Sequence, residues 1–265
     1  MRVALNQMSA GPDPHHNLKA IEAGVADAVR GGAEVVVFPE AAMACFGTPL
    51  GAVAEPLDGP WAEAVRGIAA RAGVTVVAGM FTPAPDGRVA NTLLVTGGGV
   101  DTHYDKVHLY NAFDYRESDS VLPGRELVTF TRGGLTFGVA TCYDVRFPHL
   151  FQELAARGAH AILLPASWGE GPGKAEQWDV LVRARALDST SWVLACDQAL
   201  PEDAGQRPPS AVPRGIGRTV VVTPLGEVVQ QLGLEPGQLL VDVDTETVAA
   251  VRRKLPVLEN RVDLV

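Results

Sequence analysis

Short apolar runs alternating with stretches of helical periodicity leave this chain few folds to choose from. Residues 33–38 (AEVVVF) are almost wholly apolar, which is how a strand reads when other layers cover both its faces. Before that run, residues 13–30 carry Leu18, Ile21, Val25 and Val29 at helical spacing, and Gly31-Gly32 ends the periodicity. The same reading gives strands at 2–8, 74–81, 88–96, 100–106, 127–131, 135–141, 160–165, 191–198, 218–223, 228–232 and 238–243. Helices fall at 60–72, 148–157 and 174–188, and a last one starts near Asp244, a plausible N-cap. Glycines 97–99 and 133–134 turn two hairpins, since Gly takes positive φ at little cost. Helices interleave with strands in both halves, so the class is α/β, with two mixed sheets each covered by helices. Residues 2–81 and 135–198 share a loose β-α-β-α similarity. Residues 200–217 contain Pro201, Pro208, Pro209 and Pro213 and read as a surface loop, a rim or an interface element. No linker interrupts the pattern, so one domain spans 1–265.

Charge and cysteine usage narrow the function. The 22 Lys+Arg against 31 Asp+Glu leave a net charge of −9, and a nucleic-acid binder needs the opposite balance. No apolar run approaches the roughly 18 residues of a membrane span. The first residues, MRVALNQM, lack signal-peptide order, so the expected setting is the cytoplasm. Cys45, Cys142 and Cys196 are too few and too scattered for a disulfide framework or a metal site. No metal and no cofactor are expected.

Three places break the run of apolar strand and bland turn. Residues 35–40 (VVVFPE) carry a strand straight into Glu40, followed by AAMACF. A carboxylate there is partly desolvated and its pKa raised, which suits general acid–base work; the plainer reading is a turn cap or an Arg partner. Strand 135–141 runs into Cys142 just ahead of a helix that Pro148 opens. A cysteine near a helix N-terminus is expected to feel the positive end of the dipole, which favours thiolate, although an unpaired cysteine is commonly a small buried hydrophobe. Lys106 ends strand 100–106 in a chain that otherwise relies on Arg. A compact ammonium can donate to a developing oxyanion; the plainer reading is a solvated strand end.

Taken in order, FPE (38–40), DKVHL (105–109) and TCYDVRFP (141–148) resemble the nitrilase superfamily of carbon–nitrogen hydrolases, nearest its ω-amidase and deaminated-glutathione amidase branch. RESD (116–119), PASW (165–168), RARALD (183–188) and GRTVVVTPLGEV (217–228) extend the likeness over nearly the whole chain. The resemblance implies a four-layer αββα sandwich, a homodimer or higher homo-oligomer, Cys142 as nucleophile, Glu40 as general base and Lys106 as oxyanion donor. It also implies a second glutamate, matched by Glu117, and an oxyanion contact from the Tyr143 N–H. Gln177, Thr223 and Arg218-Thr219 depart from the family pattern, which touches substrate choice and not the reaction class.

The implied reaction is hydrolysis of a small amide with release of ammonia; N-carbamoyl acids and nitriles suit the same four residues. Asn111, Phe113, Tyr115 and Trp168 lie on segments beside them and are candidates to line the pocket. Arg146 and Arg116 could hold a substrate carboxylate, the plainer role of Arg146 being a pair with Asp144 or Glu153. A papain-like Cys-His reading would need His108, His149 or His160, and a non-catalytic binding protein of the same fold is the remaining alternative.

Overall fold

The computed structural model describes residues 1–201 and 212–262; the expected rim or interface role of the proline-rich loop falls largely on 202–211, outside them. The chain begins with β1 (Arg2–Gln7), α1 (Pro14–Arg30), β2 (Val35–Val37), a one-turn α2 (Leu50–Val53) and α3 (Pro60–Ala72). A meander of β3 (Thr75–Pro83), β4 (Val89–Gly97) and β5 (Val100–Asp105) leads to a small ribbon, β6 (Asn111–Ala112) and β7 (Tyr115–Arg116). Then come β8 (Val128–Arg132), β9 (Leu135–Val139), α4 (Pro148–Ala156), β10 (Ala161–Ala166), α5 (Lys174–Ser189) and β11 (Trp192–Asp197). The described part closes with β12 (Val220–Val222), β13 (Val228–Gln231), β14 (Gly237–Asp242) and α6 (Thr245–Lys254), which Asp244 caps as expected.

One sheet has the order β14-β1-β2-β3-β4-β5 and the other β13-β12-β11-β10-β9-β8. In the first, β1, β2 and β3 are parallel and the outer strands antiparallel. The second repeats this plan with β9, β10 and β11 at its parallel centre. The internal similarity seen in the sequence is therefore a repeated sheet layout.

Successive residues along each central strand face opposite ways, and here both ways lead to a core. Val3, Leu5, Val35 and Val37 meet Phe137, Val139, Leu163 and Leu194 between the two sheets. Ala4, Val36, Val76 and Ala78 pack instead against Ile21 and Val25 of α1 and Trp61 and Val65 of α3. Ile162, Leu164, Val193 and Ala195 pack against Leu150 and Leu154 of α4 and Trp178 and Val182 of α5. Helices, sheet, sheet, helices: the molecule is an αββα sandwich.

Two strands are shorter than their sequence pattern. β2 stops at Val37 because Pro39 cannot donate to a ladder. β12 starts at Val220, after Gly217 and Arg218 both take positive φ (68° and 62°). Since β5 is two antiparallel steps from β3, it ends at the same sheet edge as β2. That edge delivers residues 38–41 and 106–108.

Candidate active site

Glu40 follows β2, Lys106 follows β5, and Glu117 opens a 3-10 turn (Glu117–Asp119) after β7. Cys142 heads a second 3-10 turn, Cys142–Arg146, between β9 and α4. These positions come from distant parts of the chain and are all buried. The Lys106 Nζ lies 2.8 Å from Glu40 Oε1 and 2.9 Å from Glu117 Oε2. Asn91 Nδ2, from β4, donates to the same two carboxylates at 2.7 and 2.9 Å. Glu40 Oε2 accepts the Ser167 N–H at 2.9 Å, and Glu117 Oε2 accepts the Tyr110 N–H at 2.7 Å. An ammonium has three donors; here Glu40 Oε1 and both Glu117 oxygens, Oε2 and, at 3.1 Å, Oε1, lie within hydrogen-bond reach of it.

The backbone around the cluster is held tightly. Gly79 of β3 faces Glu40 so closely that a Cβ there would come within 2.4 Å of Ala41 N and 2.8 Å of Glu40 Cα. Cys142 itself takes φ +44°, unusual for a residue with a side chain. Its sulfur reaches the Ser167 carbonyl at 3.7 Å, and Thr141 Oγ1 donates to the Pro165 carbonyl at 2.8 Å, so the end of β10 supports the turn. Asp144 N–H bonds the Thr141 carbonyl at 3.0 Å. The first intra-turn bond therefore begins at Asp144, and the N–H groups of Cys142 and Tyr143 have no acceptor within the turn.

Desolvation dominates the electrostatics. Burial raises the Glu40 carboxyl; Lys106 opposes this and the Glu117 charge adds to it. Burial also pushes the Cys142 thiol well up, helped by the Glu40 charge and opposed by Lys106. The expected thiolate stabilisation at a helix start is overturned: loss of water outweighs the favourable charges, and the resting form is the thiol. For Lys106 burial acts downward, yet the charges of Glu117 and Glu40 outweigh it and leave the ammonium firmly protonated.

A small cleft opens beside Cys142, lined by Tyr110, Tyr143, Ser167, Trp168 and Lys174 among others. Tyr143 and Trp168 are therefore both in its lining. Arg146 lies at the same wall, 5.1 Å from the Trp168 ring centre. It donates to Gln177 Oε1 at 2.7 Å, not to Asp144 or Glu153. Asn111 is a correction: it is exposed and outside the cavity lining, because its Oδ1 accepts the Ser118 N–H across the β6–β7 ribbon. Arg116 is likewise exposed, beside Asp119. Phe113 is exposed with the Lys174 ammonium 3.5 Å over its ring. His108 stacks on Phe147 and bonds Asp144, and His149 is exposed, so neither serves as a base for Cys142.

The sequence reading missed Asn91, whose only signal is a lone amide in an otherwise apolar strand. It also missed Lys174, a buried lysine whose ammonium bonds the Tyr110 hydroxyl at 3.1 Å and sits 5.9 Å from the Trp168 ring centre. Burial and then Arg146 lower its pKa.

Comparison with known proteins follows the geometry. The carbon–nitrogen hydrolase family model matches residues 2–253. A Mycobacterium tuberculosis protein named as a hydrolase is 52% identical over 100% of this chain and 97% of its own. Deaminated glutathione amidase of Escherichia coli is 33% identical over 78% of this chain and 76% of its own. A mutant amidase from Nesterenkonia sp., with acrylamide added at its active site cysteine, is 27% identical with a TM-score of 0.79, covering 97% of this chain and 98% of that one.

Proposed function

This chain belongs to the carbon–nitrogen hydrolase family, and from that premise we propose that it hydrolyses a small aliphatic amide through a thioester on Cys142. The thiol proton passes to Glu40 as sulfur attacks the amide carbon, which suits a cysteine that burial keeps protonated at rest. Negative charge on the carbonyl oxygen meets the Lys106 ammonium and the Tyr143 N–H. Glu40 then gives its proton to the leaving nitrogen, the C–N bond breaks, and ammonia departs. Water, deprotonated by Glu40, attacks the thioester; the acid leaves and the proton returns to sulfur. Glu117 keeps Lys106 charged and aimed throughout. The observation that carries this reading is a buried ammonium bracketed by two carboxylates and within charge range of a buried thiol.

Trp168 and Tyr143 then flank the acyl chain. Two cations, Arg146 and Lys174, lie within 6 Å of the Trp168 ring centre, and neither forms a salt bridge among the described residues. Lys174 is buried and Arg146 half-buried; a buried charge calls for a partner, so the far end of the substrate carries a carboxylate in this proposal. Three free, buried cysteines fit a reducing compartment such as the cytoplasm, and the homodimer expected of the family completes the reading.

One experiment covers these points. Ammonia release is measured on matched amides with and without a far carboxylate, such as succinamate and butyramide, for the parent and Cys142→Ala. We expect turnover by the parent, faster on succinamate, and none by the variant; light scattering on the same preparation should give two copies. Equal activity of parent and variant defeats the nucleophile, and a silent parent favours the non-catalytic alternative.

A further inference from the structure

We infer that Asp144 is a positioning residue that sets the register of Cys142 against Lys106. Its carboxylate is fully buried and accepts four hydrogen bonds, from both sides of the site. Tyr104 OH reaches Oδ2 at 2.6 Å, and the His108 N–H and Nδ1 reach Oδ1 at 3.0 and 2.7 Å. Those donors lie two residues before and two residues after Lys106. From the other side, the Thr141 N–H, next to Cys142, reaches Oδ2 at 2.9 Å. One carboxylate thus fastens the segment leaving β5 in one sheet to the turn leaving β9 in the other.

The chemistry calls for an acid here and nothing else of the same shape. Each oxygen faces one backbone N–H that cannot rotate away: His108 at Oδ1 and Thr141 at Oδ2. An asparagine would turn its NH2 toward one of them in either flip, whereas an ionised carboxylate accepts on both sides. Tyr104 is buried, and its pKa is raised well above normal by that burial and by the Asp144 charge, so it remains a donor. The His108 ring is held flat against Phe147, with 3.7 Å between ring centres. Cys142, at φ +44°, is in a conformation that persists only where surrounding bonds over-determine it. Asp144 supplies such bonds directly beside it.

The kinetic arm of the test rests on the hydrolase reading, and the labelling arm does not. Iodoacetamide labelling of Cys142, located by peptide mass, is timed in the full chain for the parent, Asp144→Asn and Tyr104→Phe, with circular dichroism as the check on folding. kcat and KM are measured alongside on whichever amide the parent turns over. In Asp144→Asn we expect labelling slowed about tenfold or more and kcat lowered on the order of 10²-fold, the scale of a 1 Å misplacement. KM should stay within about threefold, because an effect on geometry reached in the transition state enters kcat. Tyr104→Phe removes one of the four donors to Asp144 and, at 3.3 Å, the weaker acceptor of the Val107 N–H, while both backbone N–H bonds to the carboxylate stay, so a smaller loss of the same kind is expected. A folded Asp144→Asn chain that labels at the parent rate or faster overturns the inference, as does a rise in KM alone. If that variant fails to fold, Tyr104→Phe decides: parent-like labelling and kcat overturn it. A parent that labels at Cys142 yet turns over no amide tells against the hydrolase reading alone, and the labelling rates still judge Asp144.

Discussion

Lys106 is the countercharge for two buried carboxylates, so replacing it by methionine tests structure and chemistry together. Glu40 and Glu117 would lose their one cation partner among the described residues, and breaking a buried pair this way costs about 3–5 kcal/mol. Losing one oxyanion donor lowers kcat by roughly 10²–10³. We expect Lys106→Met to unfold at lower urea, with a wider gap from the parent at pH 8 than at pH 5, since a stranded carboxylate can take a proton. A gap that ignores pH would mean the cluster is balanced by something other than Lys106. The groups proposed to react were legible because each stands at a strand end in conspicuous company: Glu40 before AAMACF, Cys142 before a helix, Lys106 among arginines. Their holders were not. Asn91 occupies mid-strand, where only the tertiary approach of Glu40 and Glu117 gives it a task. Lys174 opens a helix, as many solvated lysines do.

The strands were legible from their apolar runs because every central strand feeds two cores. The runs overstate β2 and β12, where Pro39 and the positive φ of Arg218 end pairing early. The β6–β7 ribbon has no sequence pattern of its own: two pairs, Asn111 with Arg116 and Ala112 with Tyr115, define it. It matters because the Glu117 N–H bonds the Tyr110 carbonyl across its base and brings the carboxylate to Lys106. The same is true of β3, where nothing in TVVAGMF marks Gly79 as special until β2 is placed beside it. Gly79→Ala puts a methyl within 2.8 Å of Glu40 Cα, closer than real contacts allow. Overpacking of this kind costs about 1–3 kcal/mol, and a shifted Glu40 lowers kcat by up to about 10²-fold. Thermal unfolding and kcat of this variant check both; parent-like kcat would show that the base tolerates displacement.

The two sheets share one layout yet contribute unlike parts, Glu40 and Lys106 from the first and Cys142, Ser167 and Trp168 from the second. Their mutual seating is therefore a variable of the proposed catalysis, and the second sheet's share of the site rests on a second buried acid. Asp197, at the end of β11, accepts the Trp168 N–H at Oδ1 (2.8 Å) and the Ile216 N–H at Oδ2 (3.0 Å). Burial raises its pKa to about 7, against the three backbone donors that favour the anion. In the unfolded chain the group has its ordinary value of 3.8, so between those values the folded state holds a proton the unfolded state has lost. The contribution of Asp197 is then fully present below about pH 4 and falls away as pH rises toward 7. At about 1.4 kcal/mol per unit, the whole change is roughly 4 kcal/mol. The raised Glu40 adds a slope of the same sign, so a single protein cannot separate the two. Asp197→Asn removes one titration and keeps the other, and urea unfolding of both proteins from pH 4.5 to 7.5 should show a shallower decline in the variant. Identical slopes would mean that Asp197 stays ionised throughout, with its backbone donors outweighing its burial.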